Sequence, residues 1–142
     1  MFLGEFVHTL DEKGRLTIPA KFRDELADGL VVTRGIDPCL AIYPLEAWRE
    51  LAEKVNNLRM TDRVARAFRR LVFANASDAT LDKQGRVVIP PRLREYADLN
   101  GEAVVTGLST YIEVWNPDAW GEERERVEGE DANIEAWQVL EI

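Results

Sequence analysis

Apolar and polar positions in this 142-residue chain follow two periods, and the switches between them mark out the elements. Runs dense in apolar, β-branched and aromatic residues at 2–10, 15–18, 30–33 and 39–43 predict four strands. The first two are joined by Asp11-Glu12-Lys13-Gly14, a tight turn in which Asp accepts a backbone N–H and Gly closes the reversal. Pro19 stops the second strand and starts a short helix with Phe22 and Leu26 at i,i+4 and Gly29 as its stop. Pro44 opens a helix carrying Leu45, Trp48, Leu51, Ala52 and Val55 at helical spacing. Another, capped by Asp62 and ending near Phe73, sets Val64, Phe68, Leu71 and Val72 on an apolar face, with Arg59, Arg63, Arg66 and Arg70 opposite.

The pattern then restarts. Strands are predicted at 76–81, 86–89, 103–107 and 111–115, a short helix from Pro90-Pro91 with Leu93 and Ala97, and a closing helix from Pro117 with Trp120 in the place of Trp48. Residues 10–23 and 81–94 share seven of fourteen positions: Leu10/Leu81, Asp11/Asp82, Gly14/Gly85, Arg15/Arg86, Ile18/Ile89, Pro19/Pro90 and Arg23/Arg94. The chain is a duplication. Each half is small for a core of its own, so the two are expected to share one. The predicted fold class is mainly β with flanking helices (α+β). Its parts are a first repeat with closing helix (1–56), a connecting helix (57–75), a second repeat with closing helix (76–127) and an acidic C-terminal tail (128–142). In that tail Ile134, Trp137 and Leu140 are spaced for one helical face, suited to packing on the body or on a neighbouring subunit.

Charge changes the picture only once it is divided. The net charge is −8, but residues 121–142 hold eight acids against two bases. Residues 11–23 carry four bases against two acids, residues 82–94 four against one, and residues 59–70 five arginines against Asp62. Local field governs contact with a polyanion, so the acidic average does not exclude one. The single cysteine, Cys39, excludes an internal disulfide and points to a reducing, cytoplasmic compartment. Neither a targeting segment nor an apolar run long enough for a bilayer is visible, so no membrane is expected.

Candidate chemistry is concentrated in the repeated turn. One Asp-x-x-x-Arg around a Gly is a turn with an exposed ion pair; two copies between halves that differ at half their positions suggest a shared task, because turn geometry needs Asp and Gly but not Arg. Arg15 and Arg86 offer planar forks that match phosphate or the O6/N7 edge of guanine, and Asp11 and Asp82 can fix their rotamers. Lys13, Lys21, Arg23, Lys83, Arg92 and Arg94 are candidate phosphate contacts, while Gly14 and Gly85 form the turns. The arginine face of the 62–73 helix reads as a solvated surface or a partner for the acidic tail, with an accessory DNA contact as the sharper reading. His8 stands alone in a strand, one His and one Cys do not make a zinc site, and no nucleophile, phosphate-loop or dinucleotide motif occurs. No catalysis, metal, cofactor or small-molecule substrate is expected.

At these residues the chain resembles the MraZ family of transcriptional regulators within the AbrB-like (SpoVT-AbrB) group. The matching features are Met1-Phe2-x-Gly4, the Asp11–Arg15 and Asp82–Arg86 elements, the Ile18-Pro19 and Ile89-Pro90 steps, and the segments 43–48 and 115–120. The resemblance covers residues 1 to about 120. It implies tandem swapped-hairpin AbrB-like repeats forming one pseudo-dimeric double-split β-barrel, and subunits joined in an octameric or dodecameric ring. It further implies a nucleoid-associated regulator of the division and cell-wall gene cluster, usually a repressor. Such a protein binds direct repeats of double-stranded promoter DNA through Arg15 and Arg86, with Asp11 and Asp82 as their supports. The competing reading is an antitoxin-like interaction module or scaffold ring whose arginines meet acidic protein surfaces.

Overall fold

The computed structural model describes residues 1–139. Eight strands form one antiparallel sheet: β1 (Phe2–Leu10), β2 (Arg15–Thr17), β3 (Leu30–Arg34), β4 (Leu40–Pro44), β5 (Ser77–Ala79), β6 (Arg86–Val88), β7 (Gly101–Ser109) and β8 (Ile112–Trp115). Their order, β5-β3-β4-β8-β7-β1-β2-β6, interleaves the two halves, and the sheet curls into a nearly closed barrel. The helices are α1 (Leu45–Asn56), α2 (Arg63–Ala74), α3 (Pro91–Tyr96), α4 (Pro117–Glu128) and α5 (Glu130–Val139). The α+β class is therefore as the sequence predicts.

Alternation fills the barrel. Leu16, Ile18, Leu30, Val32, Leu40 and Ile42 from one half meet Val87, Ile89, Ala103, Val105, Ile112 and Val114 from the other in one continuous core. Phe22 closes it, edge-on to Phe2 and Phe6 at 5.3 and 5.4 Å between ring centroids. On the outer face α1 covers β3 and β4, with Trp48 6.0 Å from both Tyr43 and Phe73. The equivalent layer on β7 is α4, where Trp120 stands 5.7 Å from Trp115 and donates Nε1–H to Glu5. Cys39 is buried beside that layer, and burial with the nearby Glu113 carboxylate pushes its thiol far up, so it stays protonated.

Three local expectations change. The segment after Pro19 is two successive 3-10 turns, Ala20–Phe22 and Asp24–Leu26, where the second repeat has the α-helix α3. The strand expected at 76–81 shrinks to β5, because only its Ser77, Asp78 and Ala79 pair with β3.

The third change concerns α2. Asp62 caps it, its carboxylate accepting from the Val64 N–H at 2.9 Å, as the sequence predicts. The apolar face nevertheless does not all point inward: Val64 is 77 % exposed and Phe68 37 %. The side set against the body carries buried Ala65, the Val72 carbonyl, which accepts from Thr33, and Arg69, which donates to Val55 O and Asn56 at the end of α1. A helix seated on the edge of an already covered barrel is held by one narrow face, and the end of α1 needs Arg69 as a donor. Leu140, the last member of the predicted tail face, lies outside the described residues.

Candidate nucleic-acid interface

Each turn is built by its Asp. Asp11 donates its N–H to Arg15 O at 3.0 Å, and Gly14 donates to Asp11 O at 3.0 Å. Oδ1 of Asp11 accepts from the N–H groups of Lys13 (3.0 Å) and Arg15 (2.8 Å), while Oδ2 accepts from Nε of Arg15 at 2.6 Å. The second turn repeats this. Asp82 Oδ1 accepts from Gln84 and Arg86 N–H, both at 2.9 Å, and Oδ2 from Arg86 Nε at 2.8 Å. Asp11 and Asp82 are thus part of the turn as well as supports for Arg. Both carboxylates are held below the usual Asp range, chiefly by the arginine backbone N–H and secondly by the guanidinium. With Nε committed, the two amino groups of each guanidinium have no partner among the described residues, and the side chains remain 33 % and 25 % exposed.

The sheet brings the two turns together. Strands β2 and β6 pair antiparallel, with Arg15 opposite Val88, Leu16 opposite Val87 and Thr17 opposite Arg86. Leu16 and Val87 face the core. By the period of two, Arg15, Thr17, Arg86 and Val88 share the outer face, and the two arginines are diagonal neighbours about 7–8 Å apart at Cα. The ladder continues at both ends: Ile18 N–H donates to Gly85 O at 3.0 Å, and Ile89 N–H to Gly14 O at 2.7 Å. β6 is the last strand of the sheet order, so this ribbon is not covered by a further strand.

The remaining expected residues divide. Lys13, Lys21, Lys83 and Arg92 are exposed, with Lys21 Nζ 5.6 Å from the centroid of Phe6. Arg23 and Arg94 are half-buried and lie across the opposite repeat's turn. A Cβ on Gly14 would stand 2.8 Å from Cζ of Arg94, and one on Gly85 would overlap the Arg23 guanidinium. Both glycines also sit at positive φ, +81° and +74°, which a side chain rarely adopts. Arg23 further donates Nε to Ile18 O at 2.9 Å. These two arginines therefore pack over the turns of the opposite repeats, Arg94 with its buried Nε lacking a hydrogen-bond partner among the described residues, a placement that spacing along the chain did not suggest. Thr17 and Val88, 58 % exposed for Val88, were also missed. The period of two counted from Leu16 and Val87 was the available signal.

A groove elsewhere, about 990 Å³, is lined by Asp24, Glu25, Asp28, Glu46 and Glu50 against the single base Arg49, and such a lining repels a polyanion.

Twin arginine turns thus lie side by side on a small barrel built from two like halves. The family model described as "MraZ protein, putative antitoxin-like" matches residues 1–71 and again 72–137. The chain is 59 % identical over 120 residues to a transcriptional regulator MraZ of Herpetosiphon aurantiacus, covering 84 % of each chain. It is 50 % identical over 134 residues to that of Thermomicrobium roseum (94 % of each) and 49 % over 125 residues to that of Clostridium acetobutylicum (88 % of each). The chain belongs to the MraZ family, whose members are non-catalytic transcriptional regulators.

Proposed function

We propose that the outer face of the β2/β6 ribbon reads double-stranded DNA, making the protein a cytoplasmic, nucleoid-associated regulator of the division and cell-wall gene cluster. The observation that carries this reading is the placement of Arg15 and Arg86 on one exposed face, each with its carboxylate and two unpartnered amino groups. A two-stranded ribbon fits the major groove of B-DNA. There the two forks take guanine edges or phosphates, while the methyl groups of Thr17 and Val88 offer apolar contact to thymine. Lys13, Lys21, Lys83 and Arg92 then hold the backbone, and Arg23 and Arg94 keep the turns in register. We infer, too, that the barrel arose as tandem swapped hairpins, each half giving one strand to the ribbon. Its parts are those read from the sequence: 1–56, 57–75, 76–127 and 128–142. Self-association into a ring repeats the ribbon at fixed spacing, which suits short direct repeats upstream of the protein's own operon and a repressor's role.

Titration against upstream DNA carrying direct repeats tests the reading. Affinity is expected to fall steeply with salt, with a slope of about −0.9 per phosphate neutralised. Arg15→Ala and Arg86→Ala should each weaken binding roughly 5- to 150-fold, the equivalent of about 1–3 kcal/mol, with unfolding temperatures nearly unchanged. Absent or salt-independent binding moves the activity to the antitoxin-like reading, in which the arginines meet acidic protein surfaces; variants that bind as the parent does move the DNA site elsewhere, first to the arginine helix α2.

A further inference from the structure

Two helices display apolar stripes that their own chain leaves uncovered, and the two carry opposite charge. On α2 and the turn before it, Met60 (59 % exposed), Val64 and Phe68 follow one another at four-residue spacing. Arg59, Arg63, Arg66 and Arg70 run along the flank of that stripe. On α5, whose ten residues hold three acids and no base, Ile134 and Trp137 are 53 % and 55 % exposed at i,i+3, next to Glu135. Helix α5 follows α4 across Gly129, and α4 is tied to β1 through Trp120 and Arg124 to Glu5, whereas α2 sits on β3 and is bonded through Arg69 to the end of α1. Between β3 and β7 stand β4 and β8, so α2 and the α4 that leads into α5 are seated on different parts of the sheet.

We propose that α5 of one copy of this chain lies along α2 of the next, Ile134 and Trp137 against Met60, Val64 and Phe68, with the acidic segment facing the arginine flank. Exposed apolar stripes of this kind mark interaction surfaces, and here complementary charge selects a second copy as the occupant. Each copy offers one stripe of each kind, so the contact is heterologous and propagates from copy to copy until it closes on itself. This deepens the self-association reading and rests on it. It also assigns the arginines of α2 to assembly rather than to DNA.

Light scattering and native mass spectrometry on the full chain test it with Val64→Glu and Trp137→Glu, both at exposed positions, so that the fold read by circular dichroism should persist. Each variant alone is expected at the 16.2 kDa of one chain, while the parent forms larger particles. Mixed together, the two variants retain one intact stripe each and should give a species of two chains and no larger one. Met60→Glu, outside the helix proper, repeats the test should Val64→Glu unfold. Variants that keep the parent's mass, or that stay single when mixed, overturn the proposed contact and leave self-association standing. A parent that is itself a single chain overturns both.

Discussion

The two turns are near copies of one another, whereas the helices that follow the two closing helices, α2 and α5, are not. Around Asp11 and Asp82 every hydrogen bond of the turn recurs within 0.2 Å, from the Asx contacts to the Nε donation by Arg15 and Arg86. The end helices share only their place in the chain. α2 is arginine-rich, capped by Asp62 and seated on β3, whereas α5 follows α4 through Gly129 in an acidic segment. Where both copies contribute to one surface, as on the β2/β6 ribbon, equal geometry is required of each. Elements that face surroundings of their own, as α2 and α5 do, are free of that requirement, and their charges can be complementary.

The sharpest way to break the equality of the turns is at their glycines. Gly85→Val meets both a positive φ and the Arg23 guanidinium, and should cost about 3 kcal/mol. For a chain of this length that lowers the unfolding temperature by roughly 6–12 °C, with Gly14→Val close behind. A scan showing an unchanged transition would remove the turn assignment.

A smaller and more selective effect is expected from the braces. Arg94→Gln should leave unfolding within about 1 kcal/mol of the parent but speed amide exchange at Lys13 and Gly14, in the opposite repeat. Arg23→Gln should do the same at Gln84 and Gly85. Exchange that rises in the variant's own repeat, or in neither, would contradict the cross-bracing. Because the readout is taken without DNA, it also separates a brace from a phosphate contact.

Acid should produce the smallest change. Asp11 and Asp82 titrate below their unfolded value of about 3.9, so their contribution is complete above that pH and is lost as pH falls through the lowered folded values. Amide protection at Lys13, Arg15, Gln84 and Arg86 is therefore expected to fall only below about pH 4, equally in both turns. Loss of protection near neutrality would assign the ordering to another group.

Much of the fold was legible because it is written locally. Strand alternation, the Pro19 and Pro90 stops, the Asp62 cap and the Asp-x-x-x-Arg turns depend on neighbours a few residues apart, and each is found where the chain predicts it. The candidate site was half legible. Arg15 and Arg86 were singled out by repetition, but their adjacency was hidden, since it comes from the pairing of β2 with β6 across 71 positions. Arg23 and Arg94 looked like surface bases because an amphipathic pattern records where a residue starts, not how far its side chain reaches. The outward turn of Val64 and Phe68 was likewise unreadable, because an apolar face has the same periodicity whether or not the fold covers it.

By itself, then, the sequence determined the duplication, the elements and the chemistry of the turns, all of which follow from short-range spacing and side-chain type. Only the tertiary structure decided that two turns 71 residues apart form one face, that each is covered by an arginine from the other half, and that α2 and α5 leave apolar stripes open. Those outcomes depend on strand order and on which surface reaches the core first, and both are settled by long-range packing that no local pattern encodes.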